Sequence, residues 1–333
     1  MATLSSTDLH LADIAKRTDP SGNIAQIVEV LTQTNEMVAD APVAECNDGT
    51  ANRTTIRTSL PLTEWRIRNS GVGRSKSTTA QVVDTTGRIE SISRLDTFTP
   101  GTDIPALRAS EGVAHMEAMA QKAAASLLYS NTTVTPEEIH GLAARYGSLT
   151  GSVKDQIISA AGAGSDNTSI YCVGWSTERG ASILVPKGSK AGLNHEDLGK
   201  RLVTDSNDKE YIAWVDDYTW DLGLCVKNPR SIVRICNIDV SNLTVDAATG
   251  ANLFELVTKA YWKIQQASIM GLSFKCYMNT KILEYFDYQS RLHNSNIRMT
   301  VPEAGSDSKP VMMFRDMAFR RCDQILNTEA AVA

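Results

Sequence analysis

The chain has 333 residues, 42% of them hydrophobic, enough for one large or two ordinary domains with a buried core. Charged residues make up 21% and the net charge is −5, which argues against a disordered chain, a coiled coil, or a protein whose main task is gripping nucleic acid. No apolar run reaches the ~18–20 residues of a membrane span, and the start MATLSSTDLHLADIAKRTDP lacks the basic-then-apolar pattern of a secretory signal. Synthesis in the cytoplasm is the expectation. Six cysteines without a C-x-x-C pair read as reduced, buried thiols and not as a disulfide framework or a zinc site.

Charge is laid unevenly along the chain. Residues 1–48 hold eight acids and two bases, a net of −6. Residues 51–80 hold Arg53, Arg57, Arg66, Arg68, Arg74 and Lys76 against Glu64, a net of +5. Within the basic stretch, TTIRTSL and EWRIRNS alternate polar with apolar residues as half-exposed strands do, with Pro61 between them and Gly71 and Gly73 after them. This predicts a projecting hairpin of those two segments. Two strands alone are marginal in water, so such a hairpin needs another surface. That surface is either a neighbouring copy or nucleic acid. Trp65 is the one aromatic residue in the segment, too few for a base-stacking platform, which favours the neighbouring copy.

Before the hairpin, LHLADIAKR and NIAQIVEVLTQTNEMVAD have helical periodicity, with Ile24, Ile27, Val28, Leu31 and Val38 on one face and Pro42 closing the run. After it, AQVVD and RIESISRLD read as strands. The longest helical signal covers 103–129, with Thr102 or Asp103 as cap, Pro105 in the first turn, and eight alanines from Ala106 to Ala125. Met116 and Met119 read as core fillers. EEIHGLAARYG predicts a short helix, and SAAGAGSDNTS (159–169) a Gly/Ser-rich linker. Strand-like runs follow in SIYCVGW, ASILVPKG, EYIAWVDDY, LGLCVK and SIVRICNID. ANLFELVTKAYWKIQQASI predicts an amphipathic helix, SFKCYMN a strand, TKILEYFDYQ a helix, and 297–301 and 311–326 further strands. The class is α+β.

Catalytic patterns are weak. His195-Glu196-Asp197 is the densest cluster of reactive types, and a polar turn explains it better than a site, because three adjacent residues rarely converge on one atom. A soluble hydrolase using this region stays as the reading from another functional class. His115, four residues after Glu111, suits a helix salt bridge or a packed imidazole. PKGSKAG lacks Walker spacing, and no G-x-S-x-G occurs. No catalytic residue, cofactor or metal is assigned.

The stretches LSSTDLHLADIAKRTDPSGNIAQIVEVLTQTNEMVAD, TTIRTSLP, EWRIRNSGV, SKSTTAQVVD, LLYSN, PEEIHGLAARY, SIYCVGW, PKGSKAGL and GLCVKNPRSIVRICNID together resemble the major capsid proteins of tailed, short-tailed bacteriophages. The resemblance spans nearly the whole chain and rests on the order of many stretches. It implies a Hong Kong 97-type coat fold. Residues 1–49 would be the N-terminal arm and 50–95 the extended loop with its base. Residues 96–148 would hold the peripheral domain with its spine helix at 103–129, 149–240 would add peripheral strands, and 241–333 would form the axial domain. The β-rich part precedes the axial helix, which departs from the family order and implies rearranged strands. The implied function is self-assembly into hexamers and pentamers that close an icosahedral shell around double-stranded DNA. Portal, scaffolding and cement proteins would be further partners, no membrane is involved, and the location would be the virion. An encapsulin-like compartment shares the implied fold. On this view Arg53, Arg57, Trp65, Arg66, Arg68, Arg74 and Lys76 make the intersubunit contact, and Asp8, Asp13, Asp19, Glu29 and Glu36 of the arm are candidate acidic partners.

Overall fold

The computed structural model describes residues 33–98, 103–204, 208–247, 250–264, 271–292, 297–300 and 311–333. The predicted helices over LHLADIAKR and most of 23–40 therefore lie outside the described residues; the described part holds α1 (Glu36–Asp40). Next come β1 (Val43–Glu45), β2 (Ala51–Ser59) and β3 (Thr78–Asp96), then the long α2 (Ile104–Tyr129) and the short α3 (Leu142–Arg145). A strand-rich region holds β4 (Ile157–Ser159), β5 (Asn167–Trp175), β6 (Ala181–Val185), β7 (Leu193–Thr204), β8 (Glu210–Val226) and β9 (Ile232–Asp239). The chain ends with α4 (Leu253–Lys263), β10 (Ser273–Met278), α5 (Thr280–Leu292), β11 (Ile297–Thr300), β12 (Val311–Phe314) and β13 (Met317–Arg321).

All described strands join one sheet, ordered β11-β12-β13-β10-β5-β6-β8-β3-β2, with β1 on β6, β7 on β8, β9 on β5 and β4 on β9. β10 sits inside it, parallel to β13 and antiparallel to β5. β5 and β6 are buried at every position, as expected of strands covered on both faces. Alternation divides their side chains between two cores. Ile170 and Cys172 of β5 join Val233, Ile235, Cys276 and Met278 against α4 and α5, through Leu253, Val257, Ile282 and Phe286. Tyr171 and Val173 turn to the opposite face, where they join Met37, Leu127, Leu128 and Leu142 from α1, α2 and α3.

On that second face the C-terminal segment crosses the sheet as a strap. Its Glu329 backbone N–H bonds Asn167 O (2.8 Å), Val332 exchanges two bonds with the Asn237 amide (2.8 and 2.9 Å), and Leu149 N–H bonds Ala333 O (3.0 Å). The Glu329 carboxylate is buried among donors: Arg234 Nη2 at 2.8 Å, Tyr129 Oη at 2.6 Å, and Ser169 Oγ. Arg234 is buried as well, and also donates to Ala143 O and Tyr146 O. A buried ion pair is tolerable only when its remaining hydrogen-bond capacity is met, as here.

Helix α2 begins as the sequence predicts, with Asp103 Oδ1 accepting from Ala106 N–H (3.4 Å) and proline in the first turn. Its 26 residues give ~39 Å at 1.5 Å per residue. Met119 is buried, but Met116 is 41% exposed and fills no core. Gly112 lets the helix meet the sheet, since a Cβ there would lie 2.6 Å from Tyr218 Oη.

Several expectations need correction. The short helix at 137–147 shrinks to Leu142–Arg145, because residues 135–138 turn on the Asn131 and Thr135 carbonyls instead. The 159–169 linker ends inside the sheet, with Asn167, Thr168 and Ser169 fully buried. The six thiols are not all reduced: Cys172 and Cys276, directly opposed on antiparallel β5 and β10, form a disulfide, while the other four are free and buried. The 104 residues between the pair hide it from spacing arguments.

Candidate intersubunit surface

The projecting feature is there, but built differently. β2 pairs antiparallel with β3 from Ala51↔Thr85 to Arg57↔Thr79, so TTIRTS forms one strand and TTAQVVD the other. EWRIRNS, whose alternation predicts the second strand, belongs to residues 60–77, which contain no strand. Alternation marks a strand only where a partner offers its N–H and C=O groups, and β2 is already taken by β3.

The hairpin's root is fixed by charge. Asp84 of β3 is buried and receives Arg145 Nη2 (2.7 Å) from α3, and Arg145 also donates to Leu224 O (3.0 Å). Asn52 Nδ2 bonds Cys225 Sγ (3.2 Å), whose thiol is pushed up to about 11 by burial and by Asp84. Below the hairpin runs a groove of ~640 Å³ lined by Ile56, Val82, Tyr146, Val153 and Pro229, among others.

Beyond the root the chain leaves its own body. Every residue from 57 to 76 is exposed, and Leu60, Leu62 and Ile67 are about three-quarters exposed with Trp65 completely so. The loop is shaped by its own backbone: Arg66 Nε donates to Ser70 O (3.1 Å), Ser70 N–H to Ile67 O (3.1 Å) and Ser75 Oγ to Leu62 O (3.0 Å). Arg53, nearer the root, pairs with Asp48 (2.6 Å). The side chains of Arg57, Arg68, Arg74 and Lys76 make no ion pair or hydrogen bond with a described residue. The structure thus brings the basic candidates together on one projection, except that Arg53 is already engaged at its base.

The acidic candidates fare otherwise. Asp8, Asp13, Asp19 and Glu29 lie outside the described residues. Glu36 sits on α1 and pairs with Arg320 of its own chain (3.1 Å).

The His195 cluster is no turn. His195, Glu196 and Asp197 lie within β7, opposite Tyr218, Asp217 and Asp216 of β8. His195 and Asp197 share the face toward α2, which Glu196 does not. Arg108 of α2 grips Asp216 with two bonds (2.7 and 2.9 Å) and reaches Asp197 (2.6 Å), while His195 Nε2 meets Asp216 Oδ1 (3.0 Å). Tyr218 lies stacked between His195 and His115, with centroids 4.7 and 5.7 Å away, and His115 Nδ1 bonds Ser91 Oγ (2.6 Å). Arg108 holds the Asp197 carboxyl below the usual range. At Asp216 burial acts upward, but the bonds from Arg108 and His195 outweigh it. The arrangement sets Arg108 against two carboxylates and bolts α2 to β7 and β8. Among the described residues no group of three or more His, Cys, Asp and Glu could hold a metal ion. Sequence spacing could not reveal this cluster, because α2 and β8 approach it from distant parts of the chain.

Comparison with known families decides what such a chain is. The family model of the major capsid protein GP7 matches residues 19–333. The chain belongs to that family. A solved structure of bacteriophage Epsilon15 aligns with it at 34% identity and a TM-score of 0.77, covering 100% of this chain and 99% of that one. The capsid of bacteriophage JBD30 aligns at 10% identity and a TM-score of 0.46, over 89% of this chain and 93% of the other. An encapsulin from Synechococcus elongatus PCC 7942 aligns at 11% identity and 0.42, over 69% and 96%. No curated protein matches. The GP7-family chain is a structural coat subunit with the mixed α+β Hong Kong 97-type fold, and its place is the shell of a phage capsid. Among the described residues no helix is long and apolar enough to cross a membrane.

Proposed function

We propose that residues 57–77 are the extended loop through which each coat subunit grips a neighbour. The observation that carries this is the loop's exposure: Leu60, Leu62, Trp65 and Ile67 stand in solvent beside Arg57, Arg68, Arg74 and Lys76, which have no partner among the described residues. Exposed aromatic and arginine side chains are the residue types that anchor protein interfaces. Arg57, Arg66, Arg68, Arg74 and Lys76 steer the encounter and set register, while Trp65 and its apolar neighbours supply burial. Exposed ion pairs contribute only about 0–1 kcal/mol each, and a shell sums many of them.

In this reading residues 1–49 serve as the arm, 50–95 as the loop and its base, 96–148 with 149–240 as the peripheral domain, and 241–333 as the axial domain. Copies gather as hexamers and pentamers, and head-to-tail contacts that close around an axis build the shell. The mildly acidic chain lines a wall along which packaged double-stranded DNA slides without sticking. Assembly takes place in the host cytoplasm, with portal and scaffolding proteins as partners. Reversing Arg66 and Arg68 together (Arg66→Glu, Arg68→Glu) tests the loop: a soluble subunit that forms no closed shells by electron microscopy and light scattering is expected. Normal shells from the double variant would overturn it.

A further inference from the structure

One edge of the sheet is left open. Among the described residues β7 pairs with β8 alone, so the outer side of its 12 residues offers backbone N–H and C=O groups without a partner strand. None of the 12 is buried, and Leu202 near the end is 62% exposed. The charges along this edge come in a mirrored order. Glu196 and Asp197 precede a bulge, and Lys200 and Arg201 follow it. The bulge lies between Asp197 and Gly199, where Gly199 takes a φ of +71°.

The bulge also decides which side chains share a face. Asp197 and Lys200 stand opposite Asp216 and Trp214, which are two residues apart on β8. Arg108 of α2 bonds both Asp197 and Asp216 and lies over the Trp214 ring (5.0 Å), so this row faces α2. Glu196 and Arg201 stand opposite Asp217 and Ala213, four residues apart, and share the other side. In an unbroken strand 196 and 201 would point to opposite faces; the extra residue brings them into phase. Each face then reads acid, bulge, base. Part of this charge is met at home: Asp197 has Arg108, and Lys200 lies over the Trp214 ring (5.1 Å). Glu196 and Arg201 form no ion pair with a described residue. Glu196 also stands opposite Asp217, and like charges so placed destabilise a strand pair. Arg88 acts on Asp217 from β3, but it bonds Asp221 and lies two strands from Glu196.

We infer that two copies of the coat subunit join edge to edge along β7, antiparallel about a two-fold axis at the bulge. Such an axis sets Glu196 opposite Arg201 of the second copy and Asp197 opposite its Lys200, each twice over. Leu202 comes opposite His195 of the second copy. The faces match too, because a two-fold perpendicular to the sheet leaves both α2 helices on one side. Opposite signs fix this register and disfavour a slipped one. Bulges and charges can also blunt an edge against pairing, but blunting requires no order of signs, and the order here is the one a two-fold requires. The contact is isologous. Rings held by head-to-tail contacts must still be joined to one another, and a self-complementary edge supplies a link between rings. It uses no residue of 57–77, so it stands or falls apart from the loop's proposed role.

Charge reversal in the full chain tests this contact. Glu196→Arg and Arg201→Glu, made singly, each place like charges across the axis twice, and each is expected to lower the yield of closed shells about tenfold or more. Both together in one chain restore the mirrored order with signs exchanged, and shells are expected to return. On unaltered shells assembled from mixed isotope-labelled and unlabelled copies, zero-length carbodiimide coupling followed by mass spectrometry is expected to join Lys200 to Asp197 or Glu196 of a different copy. Normal shells from both single variants would overturn the inference. So would single and double variants that all fail while Lys200 couples to neither acid between copies, the pattern of an edge that serves another partner. Where variants and coupling disagree, or a variant does not fold, the coupling on unaltered shells decides.

Discussion

The centre of the sheet and the loop at residues 57–77 are built on opposite terms. Around β5 and β9 each face is covered, and even the charged pair Arg234–Glu329 has its donors and acceptors met by Tyr129, Ser169, Ala143 and Tyr146. In the loop, Trp65 is wholly in solvent and four cations have no partner among the described residues. The first region is complete in one chain. The second makes physical sense only in an assembly, since so much apolar surface beside bare charge contributes nothing to a single subunit. A capsid protein needs both, a rigid unit and an unsatisfied edge.

The largest effect expected from breaking this contrast is at the centre. Glu329→Ala strands Arg234 without a counter-charge and should cost about 3–5 kcal/mol of subunit stability, read by urea denaturation. Gly112→Ala should come next, at about 1–3 kcal/mol, because the added methyl meets a Tyr218 ring held between two imidazoles. Acidification should act at the same junction. Burial, opposed in part by Asp216, holds His115 below its ordinary 6.5. A group whose folded value is depressed gives stability that is full above the ordinary value and is lost as pH falls through the folded one. Melting temperature should therefore fall as pH drops below about 6.5, and His115→Gln should flatten that slope. Trp65→Ala should be the mildest for the subunit, within about 0.5 kcal/mol, while its shell yield falls. A large loss of subunit stability there would blur the contrast.

Much of this was legible beforehand. The capped start and alanine run of α2 predict a helix that the structure reproduces almost to the residue, and the strand-like runs SIYCVGW, ASILVPKG and SIVRICNID become β5, β6 and β9. The family resemblance was legible too, and the match to the GP7 model agrees with it. What failed did so where tertiary contact overrules local pattern. AQVVD and RIESISRLD read as separate stretches, but both lie in the single strand β3, where a Cβ at Gly87 would come 2.8 Å from Glu137 O. His195-Glu196-Asp197 reads as a polar turn, whereas β8 pairs with these residues as part of β7. EWRIRNS alternates like a strand and has none to pair with.

Hydrogen exchange on dissociated subunits and on closed shells, compared segment by segment, tests the central claim most directly. The account predicts that β5 and β9 are equally protected in both, while residues 57–77 exchange freely in the subunit and become protected in the shell. A loop that stays unprotected in closed shells would contradict it.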